Sequence, residues 1–306
     1  MRYGFIGLGN LGRHLAASLL RGGFDLTVFD LNRDAARPLI EHGAKWAQSP
    51  KDLARDVDAV ITCLPSPAAS ATVLTAQDGV LNGLRAGGTW IEMSTTDQHE
   101  IERISGLAAA RGIATLEAPV TGGVHRAAAG EITVLVGGDR EVYTTHLAAF
   151  EAMGGSIFYM GGLGKACVIK VITNMLAFIH LVAAGEALML AKRGGLDLAQ
   201  AFAAIKASSG TSFVHETESQ LVLNGSYNIG FTMDLACKDL DFATRYGREL
   251  GVPLELAGLT EQIFKRAREQ YGGGAWSTQV VKLLEDALRT DLRAPGFPAQ
   301  LEAGTS

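Results

Sequence analysis

Cysteine is scarce in this chain: Cys63, Cys167 and Cys237 are three among 306 residues and lie far apart. No CxxC pair occurs, so the spacing offers neither a zinc site nor a disulfide framework. No metal is expected, and a reducing, cytoplasmic compartment fits. Basic residues are not in excess. Lys and Arg total 27 against 32 Asp and Glu, a net charge of −5, which argues against a nucleic-acid partner. No secretory signal is expected either. Met1-Arg2-Tyr3 runs straight into Gly4-Phe5-Ile6-Gly7, too short and glycine-rich an apolar stretch for an h-region. One long apolar run, Ala166 to Ala191, has the length of a membrane span. Lys170, Asn174, His180 and Glu186 interrupt it, each costly in lipid. It reads as a buried helix of a soluble domain, and no membrane is expected.

What is present is a globular composition, 47% hydrophobic and 19% charged, which excludes disorder for most of the chain. At roughly 100–200 residues per domain the length suits two. The first half alternates strands and helices. Arg2–Ile6, Leu26–Asp30, Asp58–Leu64, Thr89–Met93, Ile113–Glu117 and Ile132–Val136 read as strands. Leu11–Arg21, Arg33–His42, Gln98–Arg111 and Arg140–Ala149 read as helices between them. Such alternation predicts a mainly parallel, Rossmann-type α/β sheet. The character changes at the glycine cluster Gly161-Gly162-Leu163-Gly164. Beyond it the pattern is helical: Ala166–Lys192, closed by Gly194-Gly195, then Leu198–Ala207, Thr211–Leu223, Met233–Leu250, Leu256–Gln270 and Ser277–Arg289. The expected organisation is an α/β domain over 1–162, an all-α domain over 163–293 reached by a long helix, and a flexible tail over 294–306.

Gly7-Leu8-Gly9-Asn10-Leu11-Gly12 is a GxGxxG pattern between a predicted strand and a predicted helix. The first glycine permits a tight turn, the second lets backbone approach a pyrophosphate, and the third lets helix and strand pack closely. The helix N-terminus then favours that anion. Asp30 ends the second strand, 18 positions after Gly12. An acid there accepts hydrogen bonds from both ribose hydroxyls of NAD and repels a 2′-phosphate, so NAD is expected over NADP despite Asn32-Arg33 close by. Asp30 can equally cap the helix starting near Arg33.

Lys170 and Asn174 are four residues apart on the apolar helix, which places both on one face. Burial draws a lysine's pKa toward neutrality and suits it to exchange a proton; a snorkelling lysine is the alternative. Thr121-Gly122-Gly123 follows the fifth strand and offers a hydroxyl and open N–H groups to a small carboxylate. An ordinary turn is the alternative. Lys238-Asp239 sits on a predicted helix, where a solvated charge pair is the plain reading.

Four motifs, in order, resemble the β-hydroxyacid dehydrogenases, the group of 3-hydroxyisobutyrate dehydrogenase and tartronate semialdehyde reductase, related to 6-phosphogluconate dehydrogenase. They are Gly7-x-Gly9-x-x-Gly12, Glu117-Ala118-Pro119-Val120-Thr121-Gly122-Gly123, Gly161-x-x-Gly164-x-Ala166-x-x-x-Lys170-x-x-x-Asn174, and Lys238-Asp239-Leu240. The resemblance covers roughly residues 2–290. It implies Lys170 as general acid/base, Asn174 as a substrate-positioning group, and Thr121, Gly122 and Gly123 as the grip on the acid end. It further implies cofactor contacts at Leu64, Pro65 and Thr95, closure of Lys238 over the nicotinamide end, and a homodimer or homotetramer. The implied activity is NAD-dependent interconversion of a short β-hydroxy acid and its semialdehyde or keto form.

Departures from the family pattern bear on the substrate. Thr121 stands where serine is usual, Ala166 replaces a glycine, and Ser94-Thr95-Thr96-Asp97 lacks a following proline. His125-Arg126 is unusual, and Arg126 could meet a second anionic group, as in a hydroxy-sulfonate or a larger hydroxy acid. An imine reductase on the same fold is a rival that Lys170 opposes. An NAD-sensing regulatory protein is the non-enzymatic rival. Ser212 and Phe213 resemble a family loop near the substrate, with a helix cap as the alternative. His14, His146 and His180 read as helix-face or core histidines. His215, Glu216 and Glu218 do not gather as metal ligands at helical spacing.

Overall fold

A computed structural model describes residues 1–302. The chain separates into two compact units, Met1–Lys170 and Val171 onward. The division therefore falls at 170, against the expected 162.

The first unit grows from β1 (Arg2–Ile6), four of whose five residues are buried, as a central parallel strand requires. There follow α1 (Gly12–Arg21), β2 (Asp25–Phe29), α2 (Arg37–Glu41), β3 (Lys45–Trp46), α3 (Pro50–Arg55), β4 (Ala59–Thr62), α4 (Pro67–Thr75), β5 (Thr89–Glu92), α5 (Gln98–Ala109) and β6 (Ala114–Glu117). Then come β7 (Val120–Thr121), α6 (Gly123–Ala129), β8 (Ile132–Gly138), α7 (Arg140–Met153) and β9 (Gly154–Gly161). The sheet order is β3-β2-β1-β4-β5-β6-β8-β7, with β9 beside β8. Strands are parallel through β6; β8 runs antiparallel to β6 and β7. β1 lies between β2 and β4, so the winding reverses there, and ligands of open α/β sheets bind at the carboxyl ends of such strands.

Alternate side chains serve opposite faces. Phe5, Val28 and Ile61 join Leu15, Leu19, Phe150 and Met153 in one core. Ile6, Val60 and Trp90 join Leu53, Leu74, Ile101 and Ile104 in another.

Several elements depart from expectation. β3 and β7 are two residues long and carry no readable period. β9 opens and closes on glycine, which hides a strand. α3 and α4 begin with proline after a serine cap: Ser49 accepts the N–H of Asp52 at 3.1 Å and Ser66 that of Ala69 at 3.2 Å. The expected helix Arg33–His42 is a 3₁₀ turn, Arg33–Ala36, followed by α2, whose start is set by Pro38. Ser277–Arg289 likewise divides into a 3₁₀ segment, Ser277–Val281, and a short helix.

The second unit is helical. α8 (Lys165–Arg193) enters it from the first and is about 44 Å long at 1.5 Å per residue. It stops at Gly194-Gly195, where Gly195 has φ +80° and the Leu196 N–H returns to the Ala191 carbonyl. α9 (Leu198–Lys206), α10 (Phe213–Asn224), α11 (Met233–Leu250), α12 (Glu255–Tyr271) and α13 (Lys282–Leu288) follow. Their core holds Phe178, Leu181, Leu188, Leu240 and Phe264.

The expected loose tail from 294 needs correction. The Ala294 N–H donates to the Leu223 carbonyl at 3.0 Å, and Asn224 Nδ2 to the Phe297 carbonyl at 2.8 Å. The Phe297 ring meets Phe202 edge-on at 5.0 Å, and Leu301 is buried. Apolar anchors thus override a polar, proline-containing composition over 294–302. Residues 303–306 of that expectation lie outside the described residues.

Candidate active site

The glycine turn leaves β1 and enters α1. Gly7 has φ +99°, and a Cβ there would lie 2.2 Å from the Cys63 carbonyl oxygen. A Cβ on Gly12 would lie 2.0 Å from the Gly7 oxygen, so both positions demand glycine. Gly9 differs: a Cβ would meet nothing within 4 Å. Its exposed Cα is the open side of the turn, where a pyrophosphate can approach. Among the described residues no side chain caps α1, and a helix N-terminus favours an anion. Asp30 stands beyond the end of β2. Its Oδ2 accepts the Leu8 N–H at 2.6 Å and its Oδ1 the Asn32 N–H at 2.8 Å. The cap of the following turn is Asn32, whose Oδ1 accepts from Asp34 at 3.1 Å. Asp30 therefore braces the glycine turn, with each oxygen accepting one main-chain N–H. Arg33 is held over the Trp46 ring at 5.8 Å. An uncapped helix, a bare Gly9 and an acid at the second strand fit a dinucleotide.

The next two strand ends are tied together. The Leu64 N–H donates to Ser94 Oγ at 2.7 Å, and Ser94 Oγ and N both donate to Glu92 Oε1, at 2.5 and 2.9 Å. This chain joins the loop carrying Leu64 and Pro65 to the loop carrying Thr95. Glu92 is buried, and burial holds its carboxyl above the usual range. Its Oε2 lies among the Ser70 and Thr62 hydroxyls without a well-aligned hydrogen bond. Burial likewise pushes the Cys63 thiol up to about 12, so it is inert.

Thr121 pairs with Thr133 across β7 and β8. Gly122 and Gly123 follow with φ +123° and +87°, a conformation that side chains resist. They lead into α6. Glu117, at the end of β6, is fully buried. Its Oε1 accepts the Ala166 N–H at 2.8 Å and its Oε2 the Cys167 N–H at 3.1 Å. One carboxylate thus joins the two stretches that hold Thr121 and Lys170. Lys170 is buried, one turn into the same helix.

In the second unit, Asn174 is half-buried on α8. Its Nδ2 donates to Asp239 Oδ2 at 2.6 Å. Asp239 is fully buried, and its Oδ1 lies 2.8 Å from Lys238 Nζ, an ion pair without hydrogen-bond alignment. Lys238 Nζ also sits 5.0 Å above the Phe242 ring. The plain reading of a solvated charge pair is corrected: the acid is in the core and orients the asparagine.

Sequence reasoning did not name Glu92, and it named Ser94, Glu117 and Asp239 only as members of motifs, without these roles. An acid closing an apolar strand, as in Glu92 and Glu117, is the signal that was there to find. Other tempting residues are structural. Ser212 caps α10 by accepting the His215 N–H at 3.0 Å, while Phe213 is largely exposed. His215 stacks on Phe202 at 4.7 Å, and Glu216 pairs with Lys206 at 3.2 Å. Burial pushes Glu218 up to about 8. His14 and His180 lie on helix faces, and His146 is in the core. The Arg126 stem lies against the turn, with Cδ 3.2 Å from where a Gly122 Cβ would be.

Known proteins resemble this chain over most of its length. Residues 2–161 match the family described as the NAD binding domain of 6-phosphogluconate dehydrogenase. Residues 164–284 match that described as NAD-binding of NADP-dependent 3-hydroxyisobutyrate dehydrogenase. A 2-(hydroxymethyl)glutarate dehydrogenase of Eubacterium barkeri is 31% identical, covering 93% of this chain and 95% of its own length. A crystal structure of 3-hydroxyisobutyrate dehydrogenase from Salmonella typhimurium has a TM-score of 0.86 at 30% identity, covering 92% of this chain and 99% of that one. Psf3 in complex with NADP+ and 2-OPP has a TM-score of 0.86 at 27% identity over the same shares.

Proposed function

This chain belongs to the β-hydroxyacid dehydrogenase family and is an NAD(P)-dependent oxidoreductase acting on CH–OH groups; from that premise we propose a short β-hydroxy acid, of the 3-hydroxyisobutyrate or glycerate type, as its substrate. The observation that carries this reading is the tie between the Thr121-Gly122-Gly123 stretch and the start of the helix bearing buried Lys170. In it, a small carboxylate is held by the Thr121 hydroxyl and the backbone of Gly122 and Gly123. Lys170 Nζ takes the proton of the substrate hydroxyl, and returns it in the reverse direction. Asn174, its amide oriented by Asp239, holds the reacting oxygen in place. The nicotinamide, when bound, supplies the hydride acceptor. The chain's contribution is orientation, proton exchange and exclusion of water.

NAD is the proposed cofactor, held by the turn Gly7–Gly12, by Asp30, and by Leu64, Pro65, Thr95 and Lys238. Asp30 supports this choice, since a 2′-phosphate would meet its carboxylate. A second reading, a hydroxy acid with a second anionic group, is favoured by Arg126, whose stem lies on the Gly122 turn. The test is NADH formation at mildly alkaline pH across short 3-hydroxy acids, their dicarboxylate homologues and sulfonate analogues, with NAD and NADP side by side. Turnover of three- to four-carbon monoacids with NAD supports the proposal. Turnover confined to the doubly anionic compounds, and lost in Arg126→Ala, replaces it with the second reading.

A homodimer or homotetramer completes the proposal. Its support is the exposure of Ile172, Leu176 and Leu190 on α8 and of Leu196 just after it, 39%, 44%, 75% and 61%, apolar surface of the kind that association covers. A monomeric mass by light scattering would remove this part.

A further inference from the structure

We propose that Glu117 is a positioning residue for the dehydrogenase reaction, capping the helix that carries Lys170 from across the fold. The proposal rests on the reading of Lys170 as the proton-exchanging group.

α8 begins at Lys165, after Gly164, which has φ +91° and no side chain with which to cap. Helix N-termini leave their first N–H groups without intrahelical partners, and a Ser, Thr, Asp or Asn side chain normally satisfies them locally. Here the acceptor comes from 49 and 50 residues earlier: Glu117 takes the N–H of Ala166 and that of Cys167, one on each carboxylate oxygen. A local cap would hold the helix to its own approach. This one holds the helix to the sheet, because Glu117 ends β6, in register with Glu92 on one side and Gly137 on the other.

Two further features show a carboxylate with a prepared place. A Cβ on Gly137 would lie 2.3 Å from Glu117 Oε1, so the neighbouring strand leaves room for it only as glycine. Burial raises the proton affinity of Glu117, while hydrogen bonds from the Cys167 thiol and from the Ala166, Cys167 and Gly164 main chain oppose that rise; the Ala166 and Cys167 N–H groups ask it to accept. The consequence for the reaction is geometric. Ala166 and Lys170 are four residues apart and share a helix face. Glu117 directly precedes Ala118-Pro119-Val120-Thr121. The same carboxylate therefore sets the height and rotation of the lysine and the origin of the Thr121 turn.

The test has a readout independent of turnover. By hydrogen exchange on the wild-type protein without cofactor, the Ala166 and Cys167 amides should be as protected as the helix interior. Exchange at the rate of uncapped N-terminal amides would overturn the proposal. Glu117→Gln is nearly isosteric but turns one acceptor into a donor. It should accelerate exchange at both amides and lower kcat roughly 10- to 100-fold, the scale of a misplacement near 1 Å. Affinity for NADH, read by fluorescence titration, should stay within about threefold, since no cofactor contact is touched. Should that variant fail to fold, Gly137→Ala retains the acid and displaces it, with the same kinetic outcome expected. A folded variant of either kind with wild-type kcat overturns the positioning role, whatever its melting temperature. Wild-type protein inactive on every hydroxy acid would instead remove the functional reading, and with it the role, while the exchange data still judge the cap.

Discussion

The two units bury acids for different purposes. In the first, Glu92 and Glu117 close adjacent strands of the parallel sheet, and their partners are mainly main-chain N–H groups, of the next loop for Glu92 and of the start of α8 for Glu117, with a serine hydroxyl. In the second, the acids are held chiefly by side chains. Glu285 accepts from Tyr227 Oη, from Arg293 Nη1 at 3.0 Å and from the Leu292 N–H at 2.7 Å. Asp239 is held by Asn174 and Lys238. The difference has a physical consequence. An acid that satisfies main-chain N–H groups of a loop or helix start beyond a strand end fixes backbone where ligands of open α/β sheets bind, so its loss falls first on function. An acid inside a charged cluster leaves an unpaired partner when removed, so its loss falls first on stability.

The largest effect expected from this contrast is in the second unit. Glu285→Ala should destabilise the protein by about 3 kcal/mol, the low end for a broken buried pair, because Arg293 keeps 36% of its side chain in water. Chemical denaturation measures it, and a loss under about 1 kcal/mol would break the comparison.

Next comes acid sensitivity of the first unit. His146 is buried beside Tyr3, with Nδ1 2.9 Å from Tyr3 Oη, and burial pushes its pKa down to about 4. The folded value lies below the unfolded one of about 6.5, so the unfolded chain binds the extra proton. The contribution is complete above pH 6.5 and is lost as pH falls toward 4, up to about 3 kcal/mol. Stability measured against pH should lose this slope in His146→Phe; an unchanged slope would assign it elsewhere.

A smaller effect concerns the cofactor. Asp30→Ala removes both the proposed ribose acceptor and the brace on the Leu8 N–H. It should weaken NAD affinity by about 1.4–2 kcal/mol, roughly 10- to 30-fold, and narrow the preference over NADP. Equal losses for both cofactors would show that the brace, not the ribose contact, was what mattered.

The smallest is Ser94→Ala, which unties the Leu64 loop from Glu92 at about 1 kcal/mol in stability. If loop acids and their partners serve function first, Michaelis constants for cofactor rise while the melting curve barely moves. The reverse pattern would make this network structural.

Much of the fold was legible because central parallel strands are continuous apolar runs. β1 matches its expected bounds, and β2, β4, β5 and β6 lie within two residues of theirs. The glycine turn was legible for a similar reason: φ and close packing leave glycine alone at Gly7 and Gly12. β9 was not, since its flanking glycines mask its pattern, and the 294–302 anchors depend on Phe202 and Leu223, far away in sequence. At the candidate site, single residue types such as Lys170 and Thr121 were visible through spacing. The role of Glu117, which joins their two stretches, was not, because an acid at a strand end does not name its partners, and these lie 49 or 50 residues away.

The central claim, that Lys170 exchanges the substrate proton, is tested most directly by comparing wild type and Lys170→Ala on the best hydroxy acid. Turnover and NADH affinity are measured on the same preparations. General acid/base catalysis predicts a fall in kcat of about 10²- to 10⁴-fold with NADH affinity retained. A variant that keeps kcat within about threefold of wild type would contradict it, since a group that moves the proton cannot be removed at so small a cost.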